Sequence, residues 1–390
     1  MASPHIASRM ASVQPFQVME LMGRAQALEA QGRDIVHLEV GEPDFDSPPG
    51  VIAAGIEALE RGDTHYTVAR GLPELRESIA AWYEGQFGLS VDPARIMVTP
   101  GASGALHLVT GVLTEPGHNL LMADPGYPCN RNFVRLFEGE ARTIAVGPES
   151  AYQLDADRIR AHWDEKTCGA LISTPSNPTG TRVSARALGE IDQLIQARAG
   201  SLIVDEIYQH LVYGAKPETA LALGEHVFVV NSFSKYFGMT GWRLGWVVAP
   251  EMAIREMEKL AQNIFLAPST LAQRAALACF EPDTLDVLEQ RREAFRERRD
   301  FLLPALKDLG FGVPVEPEGA FYIYADCSRF GTDAYSLCGR LLEEAGVACT
   351  PGLDFGTHQS GGHIRFAYTV GLDRLAEGVD RMARWIRAET

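Results

Sequence analysis

The run Ser232-Phe233-Ser234-Lys235-Tyr236-Phe237-Gly238-Met239-Thr240-Gly241-Trp242-Arg243 puts an amine, hydroxyls and a guanidinium directly after a short apolar stretch, residues 227–230. An amine there can lose solvent on its apolar side while Ser232, Ser234 and Arg243 face a phosphate. Desolvation and a neighbouring cation both lower an amine's pKa, and only a neutral amine condenses with an aldehyde. A solvent-facing lysine at a strand end is the plain alternative. Gly101-Ala102-Ser103-Gly104 can open a helix whose first N–H groups hold a phosphate, or be a simple glycine-containing helix start. Asp205 follows the apolar run 201–204, where its carboxylate can hold a proton on a heterocyclic nitrogen or cap a helix. Tyr127, beside Pro125, Gly126 and Pro128, can stack on a flat ring or pack under its own loop. Arg365 lies inside His363-Ile364-Arg365-Phe366-Ala367, where an unpaired charge is expensive. Its planar guanidinium suits a substrate carboxylate, with an internal ion pair as the alternative.

The hydrophobic pattern predicts the elements that position these groups. Phe16, Val18, Met19, Leu21 and Met22 recur at helical spacing and predict a first helix over about 15–31. Residues 35–40 then read as a strand ending in Gly41-Glu42-Pro43-Asp44. Short apolar runs at 95–98, 119–122, 141–146, 169–172, 201–204, 227–230 and 244–248 alternate with helical stretches. That alternation predicts an α/β fold, with a mostly parallel seven-stranded central sheet and helices on both faces. A charged helix over about 283–309 leads to a smaller α+β unit with strands at 320–325 and 363–367. The expected organisation is a large domain, 48–282, and a small domain, 283–390, against which 1–47 packs. Open parallel sheets bind ligands at the carboxyl ends of their strands. The groups at 99–104, 124–127, 174–180, 205–208 and 232–235 all fall there.

The 390 residues carry a formal net charge of −16, which argues against nucleic-acid or anionic-membrane partners. The basic run 291–299 is interleaved with glutamates and reads as a solvated helix face. Six cysteines (129, 168, 279, 327, 338, 349) form no C-x-x-C pair and fit a reducing compartment. Residues 1–10 lack an apolar signal core and no segment approaches a membrane span, so a cytoplasmic location is expected.

A phosphate cradle, a partner for a ring nitrogen, a ring stacker, an amine and a carboxylate-binding arginine are what pyridoxal phosphate needs to act on an amino acid. In order and spacing, from Val40-Gly41-Glu42-Pro43-Asp44-Phe45 to Arg365, the motifs resemble those of the class I/II aminotransferases, fold-type I pyridoxal-phosphate enzymes, over nearly the whole chain. The resemblance implies that Lys235 is the lysine that bonds the cofactor aldehyde. It implies phosphate anchors at Ser232, Ser234, Arg243 and the backbone of Ala102 and Ser103. It makes Asp205 the partner of the pyridine nitrogen, Asn177 and Tyr208 donors to the ring's phenolate oxygen, and Tyr127 the stacking residue. Tyr66 resembles a tyrosine that reaches the phosphate of a neighbouring subunit, and Gly41 and Arg365 resemble groups that hold the α-carboxylate. A homodimer with shared active sites and a cis Asn177-Pro178 bond are further implications.

The chain departs from the dicarboxylate-specific branch of that family. No second arginine matches its side-chain carboxylate binder, and Ser103 stands where some bacterial relatives carry a lysine. A strict preference for aspartate or glutamate is therefore not expected, although glutamate can still serve as donor. The implied reaction moves the amino group of an L-amino acid to a 2-oxo acid by a ping-pong mechanism, with Lys235 as the proton carrier at Cα. A β- or γ-elimination enzyme on the same scaffold would use the same residues. A ligand sensor would need an appended DNA-binding unit and a basic patch. A nucleotide dehydrogenase would need G-x-G-x-x-G after the first strand, and metal hydrolysis a histidine cluster; the sequence has neither. For contact with the donor's side chain the candidates are Phe16, His65 and residues 264–266, whose bulk points to neutral or aromatic amino acids.

Overall fold

All seven apolar runs enter one sheet in the computed structural model, which describes residues 5–13, 15–331 and 333–389. After β1 (Val36–His37) come β2 (Ile96–Thr99), β3 (Asn119–Asp124), β4 (Glu140–Ala145), β5 (Thr167–Ser173), β6 (Ser201–Asp205), β7 (Phe228–Ser232) and β8 (Gly245–Val248). Their order in the sheet is β2-β8-β7-β6-β5-β3-β4. Pairings from β7 across to β4 are parallel, while β8 runs antiparallel to both β2 and β7. The predicted α/β class therefore holds.

Both faces of this sheet are covered, and that is why its strands read as unbroken apolar runs. On β6 and β7, Leu202, Val204 and Val229 enter one core cluster, and Ile203, Phe228 and Val230 enter another. Successive side chains on a strand point to opposite faces, so each residue of such a run is buried in turn. The helices up to this point of the chain are α1 (Gln17–Glu29), α2 (Pro49–Glu60), α3 (Pro73–Phe87), α4 (Gly101–Leu113), α5 (Pro128–Leu136), α6 (Ala156–His162), α7 (Ala185–Gln196), α8 (Glu251–Ile264) and α9 (Thr270–Ala276). The charged helix α10 (Pro282–Leu309) carries proline in its first turn and ends at Gly310 in the left-handed conformation, φ 99°.

Beyond it, β9 (Tyr322–Asp326), β10 (Val347–Ala348), β11 (Thr350–Pro351) and β12 (His363–Ala367) are joined by α11 (Ala334–Arg340) and α12 (Leu372–Glu389). A three-stranded antiparallel sheet has the order β11-β12-β9, and β1 pairs in parallel with β10. The strand expected over 35–40 is thus only two residues long, because β10 offers only two partners. Its next residue, Leu38, still donates to Ala348 O and accepts from Ala367 N. Residues 1–4, part of the stretch read for a leader, lie outside the described residues. Among the described residues no helix is long and apolar enough to cross a membrane.

Candidate active site

The ends of β6 and β7, the start of α4 and the loop after β1 meet around a cavity of about 280 Å³. Every residue assigned to the cofactor or the α-carboxylate from the sequence lines it except Tyr66, which is 84% exposed and stands apart. Of the side-chain candidates, Phe16 borders the cavity, whereas His65 and residues 264–266 do not.

One corner is built for an anion. After β2 the chain turns through Gly101, at φ 70°, into α4, so the first amides of that helix face the cavity beside Ala102 and Ser103. Two glycines permit the close approach. A Cβ on Gly101 would lie 2.6 Å from Arg243 Nη2, and one on Gly245 would lie 2.7 Å from the Ala102 nitrogen. Arg243, itself at φ 54°, donates from Nη1 to Ser234 Oγ at 3.3 Å and to Thr240 O at 3.0 Å. The Ser234 amide donates to Ser232 Oγ at 3.1 Å. A helix N-terminus, a guanidinium and two hydroxyls together suit a phosphate.

Opposite charge is wanting in the middle of the cavity. Asp205 ends β6 and is buried, and burial pushes its carboxyl up to about 6, opposed by a single hydrogen bond from Ile207 N at 3.1 Å. It caps only this local turn and faces no cation of the chain at ion-pair distance among the described residues. Lys235 donates from Nζ to Gly41 O at 2.6 Å. Burial pulls its ammonium down to about 8; Arg365 and Arg243 push the same way and Glu42 opposes them. The lysine is therefore no solvent-facing strand-end residue.

Tyr208 and Tyr322 share a hydrogen bond between hydroxyls at 2.8 Å, and burial raises the pKa of both. Asn177, whose bond to Pro178 is cis, accepts from Arg365 Nη1 through Oδ1 at 3.0 Å, leaving its amide hydrogens for another acceptor. Arg365 is buried in β12 between the rings of Tyr322 and Phe355, at 4.3 and 4.8 Å. Its other partners are Glu39 O and Thr350 Oγ1, all of them neutral, and its Nε has none among the described residues. The internal ion pair weighed from the sequence is absent among those residues, and a buried guanidinium is left facing the cavity.

The sequence reading gave no site role to Val18, and among the lining residues it did not single out are Tyr322, Asp354 and Phe355. Asp354 accepts from the Gln17 and Val18 amides at 2.7 and 2.8 Å, which fixes the start of α1 at the cavity mouth. A usable signal existed, since Asp354 and Phe355 sit in the turn-rich run Thr350-Pro351-Gly352-Leu353-Asp354-Phe355-Gly356. Tyr322 gave none, being one of several aromatics in an apolar strand.

A family profile described as aminotransferase class I and II matches residues 33–382. A valine–pyruvate aminotransferase of Mycobacterium tuberculosis is 35% identical over 97% of this chain and 98% of its own. An aspartate/prephenate aminotransferase of Thermus thermophilus is 34% identical over the same shares. Among solved structures, an aminotransferase from Mycobacterium tuberculosis superposes with a TM-score of 0.94 at 35% identity, covering 99% of this chain and 100% of that one. The aspartate aminotransferase of Thermus thermophilus with maleate gives 0.92 at 34% identity, covering 98% and 100%. These relatives are transaminases and lend no support to the elimination alternative. With its seven-stranded sheet and a match along nearly its whole length, the chain belongs to the class I and II aminotransferases and is a transaminase.

Proposed function

We propose that this transaminase binds pyridoxal 5′-phosphate in the cavity at the ends of β6 and β7, with an L-amino acid as donor and a 2-oxo acid as acceptor. The observation that carries the reading is the buried carboxylate of Asp205, which finds no cation at ion-pair distance among the described residues, in a cavity that also holds an amine and an anion corner. A protonated pyridine nitrogen would be that cation. Ser232, Ser234, Arg243 and the amides of Ala102 and Ser103 would hold the phosphate. Tyr127 would stack on the ring, and Asn177 and Tyr208 would donate to its phenolate oxygen. When bound, pyridoxal phosphate supplies an aldehyde carbon that takes up the amino group and a ring that draws charge from the donor's Cα.

The chain's own residues do the rest. Lys235, with its pKa near 8, is poised to take the Cα proton and to return it, because a base works best with a pKa near the working pH. Arg365, supported by Asn177 and with Gly41 beside it, would grip the α-carboxylate bidentately, so that Cα stands at a fixed place before Lys235. A positive partner would stabilise the ionised form of Asp205 against its burial, which couples cofactor binding to its charge.

We assign 48–282 as the cofactor domain and 283–390, with 1–47, as the small domain; the β1–β10 pairing supports this division. A homodimer is the proposed assembly, with Tyr66 serving the neighbouring site. Ile52, Ile56 and Leu59, spaced along one face of α2 and 41–57% exposed, support it. A cytoplasmic location accords with six cysteines that are all free. Borohydride reduction of the cofactor-loaded protein, followed by peptide mass spectrometry, should find the cofactor mass on the peptide containing Lys235. Mass on another lysine, or on none, would refute this reading.

A further inference from the structure

We infer that the amino donor carries a neutral apolar side chain packed against Phe16, Val18 and Phe355, and that Phe16 is a specificity-determining residue. This rests on Arg365 holding the donor's α-carboxylate. The donor's side chain and its carboxylate leave the same carbon, so the lining beside Arg365 is what that side chain meets. The Phe355 ring lies 4.8 Å from the guanidinium. Asp354, next to it in the chain, accepts from the amides of Gln17 and Val18 and so binds the start of α1 to that side of the cavity. Phe16 and Val18, both half-buried, complete the wall.

Charge leads to the same conclusion. The cations that line the cavity among the described residues are Lys235, Arg243 and Arg365. Lys235 is engaged with Gly41 O, Arg243 with Ser234 in the anion corner, and Arg365 with the α-carboxylate in this reading. A second carboxylate on the donor would meet Phe16, Val18, Phe355 and the acidic Asp354, and a buried charge without a partner is expensive. An apolar side chain would instead remove three hydrophobic groups from water.

Two measurements on the cofactor-loaded enzyme test this. Titration calorimetry with 4-methylpentanoate and with succinate reads the wall without any turnover, and the first should bind at least about tenfold tighter. In single-turnover kinetics, leucine should exceed aspartate in kcat/KM by roughly a hundredfold. Phe16→Ala should lower kcat/KM for leucine by about 10- to 100-fold, leave alanine within a few-fold and keep the melting temperature. Phe16→Leu should restore most of the loss. Aspartate matching leucine, succinate binding as tightly as 4-methylpentanoate, or Phe16→Ala hurting alanine and leucine alike would overturn the inference while leaving the cofactor reading intact. No transfer from any amino acid would sink both.

Discussion

Lys235 and Asp205 are shifted in opposite directions by one cause, since burial disfavours charge and so lowers an amine to about 8 and raises a carboxyl to about 6. For Asp205 the shift is also a statement about stability. The unfolded chain loses this proton near the ordinary 3.8, the folded cofactor-free chain near 6. Between those values the unfolded state binds fewer protons, so stability falls as pH rises through the window and stays lower above it, by roughly 3 kcal/mol. Asp205→Asn removes that penalty. The cofactor-free variant should melt above the cofactor-free parent at pH 8 and level with it near pH 4, while turnover of the loaded enzyme falls by about 10²- to 10⁴-fold. Scanning calorimetry at the two pH values, with steady-state kinetics beside it, makes the check. A variant that melts lower at pH 8 would mean that the carboxylate has a stabilising partner after all.

The anion corner depends on how closely β8 passes the start of α4. A Cβ on Gly245 would meet backbone on both sides, 2.7 Å from the Ala102 nitrogen and 2.8 Å from Asn231 O, and backbone cannot step aside as a side chain does. Gly245→Ala should therefore cost about 1–3 kcal/mol and weaken cofactor binding at least tenfold. Gly241→Ala, with nothing within 4 Å of its Cβ, should change neither. Equilibrium unfolding and cofactor titration would show it, and equal effects from the two would place the constraint elsewhere. The same closeness explains what the sequence could reveal at this scale. Strands β2, β3 and β5 to β8 were legible because a sheet buried on both faces leaves an unbroken apolar run, and Asp205 and Ser232 could be placed because such runs end at the ligand side. β10 and β11 are two residues each, too short for any period to register. Asp354 and Phe355 reach the cavity only because α1 docks on their loop, a contact across more than 300 residues that no local pattern encodes.

At the scale of the whole molecule, the outer surface beside the site is apolar where a charged chain would normally be polar. Ile52, Ile56 and Leu59 form a stripe on α2, and Tyr66 and Val68 follow at 84% and 57% exposure. Next to them Trp242, the neighbour of Arg243, borders an open hollow with Leu271 and Ala272 of α9, which packs on α2. A chain with a net charge of −16 resists meeting its own copy, so only apolar burial of this kind would drive association. A second copy seated there would cover the phosphate side of the cavity and bring its Tyr66 toward it. Ile56→Glu should then convert a dimer into a monomer in analytical ultracentrifugation and weaken cofactor retention together with it, although residue 56 does not line the cavity. Tyr66→Phe should keep the dimer and weaken cofactor binding by about 10- to 100-fold, as loss of one hydrogen bond to a charged group does. An Ile56→Glu protein that stays dimeric would place the interface on another face, and one that becomes monomeric with undiminished cofactor affinity would show each site to be complete within its own chain.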